Sequence, residues 1–260
     1  MNYAKQYGYV LLLTSSSGGI PITDVLQLSP EKRLMVIKSL TALSKYLGCY
    51  DRWQQIRKQY NLKWSTGNES LQSFERFFDD GLNLDTMIER VVRMMRLLPD
   101  NMAKIVKFCC LTGLRPTEAV ESVRLLTFPN QFGKYYNSDR QALEHFRYPE
   151  IFLRQTKKAY LSYITLDNLQ PIAKLGPKTP GYNAIRLTCK RRKINMDMRY
   201  CRKLHGSWLH IHGITAEEVD FLQGRTTPSI FSRHYLTRDN SLKDRVLTAL
   251  KALEERLLLP

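Results

Sequence analysis

Four arginines, two adjacent lysines and a tyrosine fall in order along the chain: Arg115, Lys157 and Lys158, Arg199, Arg202, Arg225 and Tyr235. Four guanidinium groups exceed what one structural ion pair needs. Converged, they would grip a phosphate through charge-assisted hydrogen bonds and neutralise the charge that builds on it during transfer. A tyrosine beside them is a nucleophile by type, and a lysine is a proton donor. The ordinary readings stand next to these. Arg115 can pair with Glu118 or Glu121 on a helix surface, and Glu118 is the first-turn acid that a helix dipole favours.

The elements that must position these groups are well punctuated. In "LTGLRPTEA" (111–119) one helix ends and another begins. Met102, Ile105, Val106 and Cys109 make one apolar helical face before it. Gly113 suits the left-handed residue past a helix end, and Pro116 suits the first turn of the next helix. Arg115 therefore sits at a helix N-terminus, which already attracts anions. A helix over roughly 195–212, stopped at Gly213, puts Arg199 and Arg202 three apart on one face. Thr215 and Glu218 form a T-x-x-E capping box, and that short helix stops at Gly224, with Arg225 directly after it. Thr227 and Pro228 open another short helix carrying Tyr235. "EIFLRQ" and "YLSYIT" read as the arms of a hairpin with "TKKA" between them, which puts Lys157 at its tip. A tip cannot be registered from sequence to one residue, so Lys158 competes for the same role.

The rest of the 260 residues frames this set. The first 80 read as a small helical domain (1–80), and 81–260 as a second domain. Ser29, Pro30 and Gly48 bound a helix with the stripe Leu34, Ile37, Leu40, Leu43 and Leu47. Shorter helices are expected around 50–60 and 69–79, with polar breaks at 64–70 and 79–83. From Asp85 a helical face runs through Met87, Ile88, Val91, Val92, Met95 and Leu98, and the C-terminus is amphipathic through Leu242, Val246, Leu250, Leu253 and Leu257. The whole is expected to be mainly α with a small antiparallel β element. No apolar run reaches the ~18 residues that span a membrane, and a cytoplasmic, DNA-associated protein is expected.

The net charge of +16 suits a polyanionic partner, nucleic acid before membrane. Residues 171–210 hold ten Lys and Arg against one acid, Asp197, which is more than half of the total excess. Lys190, Arg191, Arg192, Lys193 and Lys203 are therefore expected to contact DNA phosphates. The five cysteines have no metal or disulfide spacing, and His205, His210 and His212 lack a ligand pattern, so no metal or cofactor is expected. Trp53 and Trp64 read as core rather than as stacking platforms, and Tyr135 and Tyr136 lie outside the C-terminal constellation.

The order "TGLRPTEA", "QTKKA", "RYCRK", "LQGR" and a tyrosine ten residues on resembles the tyrosine recombinase, or integrase, family over roughly 84–240. Two positions depart from most of the family: Arg199 and Arg225 stand where imidazoles, or a tryptophan at the second, are usual. Such replacements look like the integrases of archaeal viruses and plasmids. The resemblance implies a catalytic fold preceded by a helical core-binding domain that clamps DNA. It implies that Tyr235 attacks a phosphodiester to give a 3′-phosphotyrosine and a 5′-hydroxyl. Arg115 and Arg202 would stabilise the non-bridging oxygens with Arg199 and Arg225 in support, Lys157 or Lys158 would protonate the leaving oxygen, and Glu118 would orient arginine. It also implies a homo-tetramer on double-stranded DNA that exchanges strands through a Holliday junction, without metal or nucleotide. A type IB topoisomerase and a non-catalytic DNA-binding protein are the rival readings.

Overall fold

The computed structural model describes residues 3–12, 22–63, 83–154, 157–176, 179–225 and 241–258, with Arg154 and Lys157 as backbone only. The chain forms two compact units, Met1–Gly81 and Leu82–Pro260.

The first unit is helical where described. It runs α1 (Tyr3–Tyr7), a 3-10 turn (Gly8–Leu12), α2 (Thr23–Leu26), α3 (Pro30–Tyr46) and α4 (Tyr50–Gln59). Pro30 opens α3, as its fixed φ favours, and Gly48 beyond its end takes a positive φ of 68°. The buried face of α3 differs from the leucine stripe. Val36, Ile37, Leu40, Thr41 and Ser44 are buried, whereas Leu47 is 56% exposed. Thr41 and Ser44 tolerate burial because each donates back along the helix, to Ile37 O and Thr41 O. Thr41 also accepts the Trp53 indole N–H at 2.7 Å. Trp53 is fully buried. The helix expected at 69–79 and Trp64 lie outside the described residues.

The second unit is built around α6 (Asp100–Thr112). It packs against α5 (Leu84–Leu97), α7 (Pro116–Thr127), α10 (Leu166–Ala173) and α12 (Arg199–Ile211). Between them come α8 (Pro129–Tyr135), α9 (Pro149–Phe152), α11 (Tyr182–Arg191) and α13 (Ala216–Leu222). The C-terminal α14 (Ser241–Leu257) lies on its own unit, against α5, α6 and α12. Its five expected apolar positions are all buried. The Trp208 indole donates to Ala249 O at 2.7 Å, and Lys107 pairs with Glu254 at 2.8 Å. Among the described residues no helix is long and apolar enough to cross a membrane.

Two expectations need correction. "EIFLRQ" and "YLSYIT" do not pair with each other. Residues 149–152 are α9, and β3 (Leu153–Arg154) pairs with β4 (Lys157–Lys158), with Arg154 opposite Lys157. β5 (Ser162–Tyr163) instead joins β2 (Ala142–Leu143), which pairs with β1 (Tyr136–Asn137), giving the antiparallel order β1-β2-β5. Strands of two residues are too short to show a period. The helix expected to begin near 195 begins at Arg199. A separate α11 ends at Arg191, and the connection passes through Lys193 at φ 54°.

Candidate active site

The site begins at the α6–α7 joint. Gly113 ends α6 in the left-handed region at φ 63°, and Pro116 opens α7. A Cβ on Gly113 would overlap the ring of His205, so glycine is required there by backbone and by space. Arg115 is the N-cap of α7. Its backbone N–H donates to Glu118 Oε2 at 3.2 Å, and its guanidinium reaches Glu118 Oε1 at 3.0 Å. Glu118 is fully buried and Arg115 is 20% exposed in its side chain. One carboxylate thus caps the helix and fixes the arginine above its N-terminus.

Arg202 ties this joint to a second one. Its Nη1 donates to Gly113 O at 2.9 Å, and its Nη2 donates to Gln223 O. Each carbonyl lies two residues before another arginine, Arg115 and Arg225. Burial, then the positive charges of Arg115 and Arg225, pull the Arg202 pKa down to about 10. Arg202 remains a cation at neutral pH, in a cluster of like charges that an anion would relieve. Gln223 is fully buried and answers in kind, its Nε2 donating to Arg202 O at 3.0 Å. α13 starts with the expected box, Thr215 N–H donating to Glu218 Oε2 at 2.9 Å and Glu218 N–H to Thr215 Oγ1 at 3.3 Å. It stops before Gly224 at φ 62°. A Cβ on Gly224 would overlap the Lys158 carbonyl, so the β3–β4 hairpin lies against this second joint. Arg225 follows, paired with Asp220 at 3.2 Å.

Arg199 opens α12 one turn before Arg202 but turns to Asp197, 3.2 Å away, and is 78% exposed. Asp197 also accepts its backbone N–H at 2.8 Å and the Tyr182 hydroxyl. Although burial alone would raise it, those hydrogen bonds and the Arg199 charge hold the Asp197 carboxyl below its usual pKa. Lys190, Arg191, Arg192, Lys193 and Lys203 are all exposed around this point, with Arg192 also donating to Leu97 O. Lys157 and Lys158 are consecutive in β4, and Lys158 is half-buried. Tyr235 lies outside the described residues.

Behind the joint runs a buried line of hydrogen bonds. Ser122 Oγ, Tyr135 Oη, His145 Nδ1 and Nε2, Ser162 Oγ and Thr112 O are linked at 2.8, 2.6, 2.9 and 3.1 Å. The end carbonyl can only accept, so Ser162 donates to it and takes the His145 Nε2–H in turn, which leaves His145 Nδ1 to face the Tyr135 hydroxyl. His145 is neutral in this assignment, and burial pushes its pKa down to about 3. The line satisfies an end carbonyl of α6 three residues before Arg115. It also explains Tyr135, which is fully buried rather than presented as a nucleophile.

The sequence reading missed Gln223 and Asp197. Both left a signal: a glutamine in the apolar end of "FLQGR", and the lone acid among ten cations. His205 is packed against Gly113, with Gln223 Nε2 at 3.3 Å from its Nδ1. Among the described residues no group of three or more His, Cys, Asp or Glu could hold a metal. A family model described as archaeal phage integrase matches residues 83–246. No curated protein and no solved structure matches the chain closely enough to count as similar.

Proposed function

The chain belongs to the archaeal phage integrase family, and from that premise we propose that it is a site-specific tyrosine recombinase acting on double-stranded DNA. The observation that carries the reading is the pairing of Arg202 with the carbonyls beside both Arg115 and Arg225. The Arg202 guanidinium is bonded to the backbone that carries Arg115 and Arg225, whose charges lie close enough to depress its pKa, and an anion such as one phosphate would be favoured among them. In this reading Arg115 and Arg202 bind the non-bridging oxygens and Arg225 supports them. Arg199 contributes charge from the rim. It cannot act as a base, because arginine stays protonated.

The Tyr235 hydroxyl gives up its proton to solvent as its oxygen attacks the phosphorus, the P–O bond to the 5′ oxygen breaks, and a 3′-phosphotyrosine forms. Lys157 or Lys158 supplies the proton that the leaving 5′ oxygen takes up. A 5′-hydroxyl from a second duplex then attacks the phosphotyrosine, which returns the tyrosine and reseals the strand. The phosphotyrosine conserves the bond energy, so no nucleotide is consumed. Glu118 orients Arg115. The first unit serves as a core-binding domain, and four copies assemble on two DNA segments through a Holliday junction.

The test pairs two labelled duplexes carrying a candidate attachment site. Joint products between them support recombination. Relaxation of supercoiled plasmid without joint products would assign the chain to topoisomerase-like chemistry instead. Binding with neither product would leave a DNA-binding protein.

A further inference from the structure

A cleft of about 690 Å³ opens within the second unit, between α5, α11, the 192–198 connection and the first turn of α12. Its floor is apolar, with the half-buried Ile194 and Met196 over the buried Met94, Ile185 and Met198. Five cations line it, Arg90, Arg186, Lys190, Arg199 and Lys203, against the single carboxylate of Asp197. The Tyr182 ring lines it too, its hydroxyl tethered to both Asp197 oxygens at 3.1 and 3.2 Å. The exposed Arg191, Arg192 and Lys193 continue the basic surface around the turn that closes it.

These features fit one kind of occupant. The volume falls within the ~300–1,000 Å³ range of small-molecule sites, which admits a nucleotide and not a double helix. An apolar floor with an aromatic ring suits the faces of a base, and clustered Lys and Arg suit the phosphates on either side of it. An acidic peptide would satisfy the cations but brings no planar ring to the floor. We propose that this cleft seats one unpaired nucleotide of the bound DNA, the base on the floor and its flanking phosphates on the cationic rim. The proposal rests on the reading of the chain as a DNA strand-exchange enzyme, in which strands must unpair beside the cut before they re-pair with a new partner.

The experiment uses the full chain and three duplexes of one sequence: fully paired, with a single extrahelical 2-aminopurine nucleotide, and with an abasic residue at the same bulge. The wild type is expected to bind the 2-aminopurine bulge about tenfold more tightly than either of the others, with a change in 2-aminopurine fluorescence. Asn195 is exposed and lines the cleft. Asn195→Trp, which fills the cleft from the surface, should abolish that preference and leave paired-duplex affinity unchanged. Asn195→Ala should keep it. Equal binding of all three duplexes overturns the cleft assignment while leaving the DNA reading in place. So does a preference shared by the abasic bulge, which would report DNA bending, and so does a preference that survives Asn195→Trp. Failure to bind any of the three at low salt takes down the DNA reading and the cleft assignment together.

Discussion

Arg202 is held at both ends of its guanidinium, by the carbonyls of Gly113 and Gln223. Its two carbonyl partners fix the guanidinium plane, and no lysine can reproduce that fork. Arg202→Lys is expected to lower strand cleavage by about 10²-fold or more while leaving the chain folded, as single-turnover rates and circular dichroism would show. The crowding of Arg115, Arg202 and Arg225 also has a thermodynamic consequence. Inorganic phosphate or sulfate that settles among them stabilises the fold by mass action, about 2.7 kcal/mol at a hundredfold excess over its Kd. A calorimetric melting temperature should therefore rise with phosphate in the wild type and rise less in Arg202→Met.

The two buried histidines set the pH response. His145 and His205 both have pKa values pushed down to about 3 by burial, with Arg202 adding to the effect at His205. Below about pH 6.5 the unfolded chain takes up protons that the fold refuses, so stability present above that pH is lost as pH falls towards 3. Each group contributes a slope approaching ~1.4 kcal/mol per pH unit. Glu144, Asp197 and Glu218, whose carboxyls their hydrogen bonds and arginine partners hold below the usual range, stay charged between pH 6.5 and 5. Urea midpoints over that window should fall steadily for the wild type and less steeply for His145→Gln.

At the scale of elements, two glycine joints bring the arginines together. Gly224 is the sharper case, because a side chain there meets both a positive φ and the Lys158 carbonyl. Gly224→Ala is expected to cost more than the ~1 kcal/mol of a strained backbone alone. It should also impair cleavage beyond its effect on stability, since the hairpin carrying Lys157 and Lys158 must back away. Urea denaturation together with the cleavage rate would separate the two effects. These joints were legible from sequence, because Gly113, Pro116 and the Thr215/Glu218 box act within one turn of chain. The β-strands were not, because two-residue strands take their partners from tertiary packing. The face of α3 turned on Thr41 and Ser44, which are buried with their hydroxyls bonded along the helix, Thr41 also accepting from the Trp53 indole. Arg199 was placed with Arg202 by helical spacing, but Asp197 in the preceding turn holds it at the cleft.

For the molecule as a whole, charge sets both affinity and its sensitivity to salt. An excess of +16, concentrated beside α11 and α12, should make log K for duplex DNA fall linearly with log salt. Six phosphate contacts would give a slope near −5 by the ~0.9 ions released per contact. Fluorescence anisotropy between 50 and 300 mM salt measures this, and replacing Arg191, Arg192 and Lys193 together by Gln should flatten the slope by two to three. A slope near zero would remove the basic face from the interface.

The covalent bond expected between Tyr235 and DNA, at a phosphate bound among Arg115, Arg202 and Arg225, is the step on which strand exchange depends. Its most direct measurement is a nicked suicide duplex carrying a candidate site, incubated with the wild type and with Tyr235→Phe and resolved on a denaturing gel. The expected result is a protein–DNA adduct in the wild type that is absent from Tyr235→Phe. An adduct that persists in Tyr235→Phe would contradict the assignment of the nucleophile, and no adduct on DNA shown to be bound would contradict the chemistry itself.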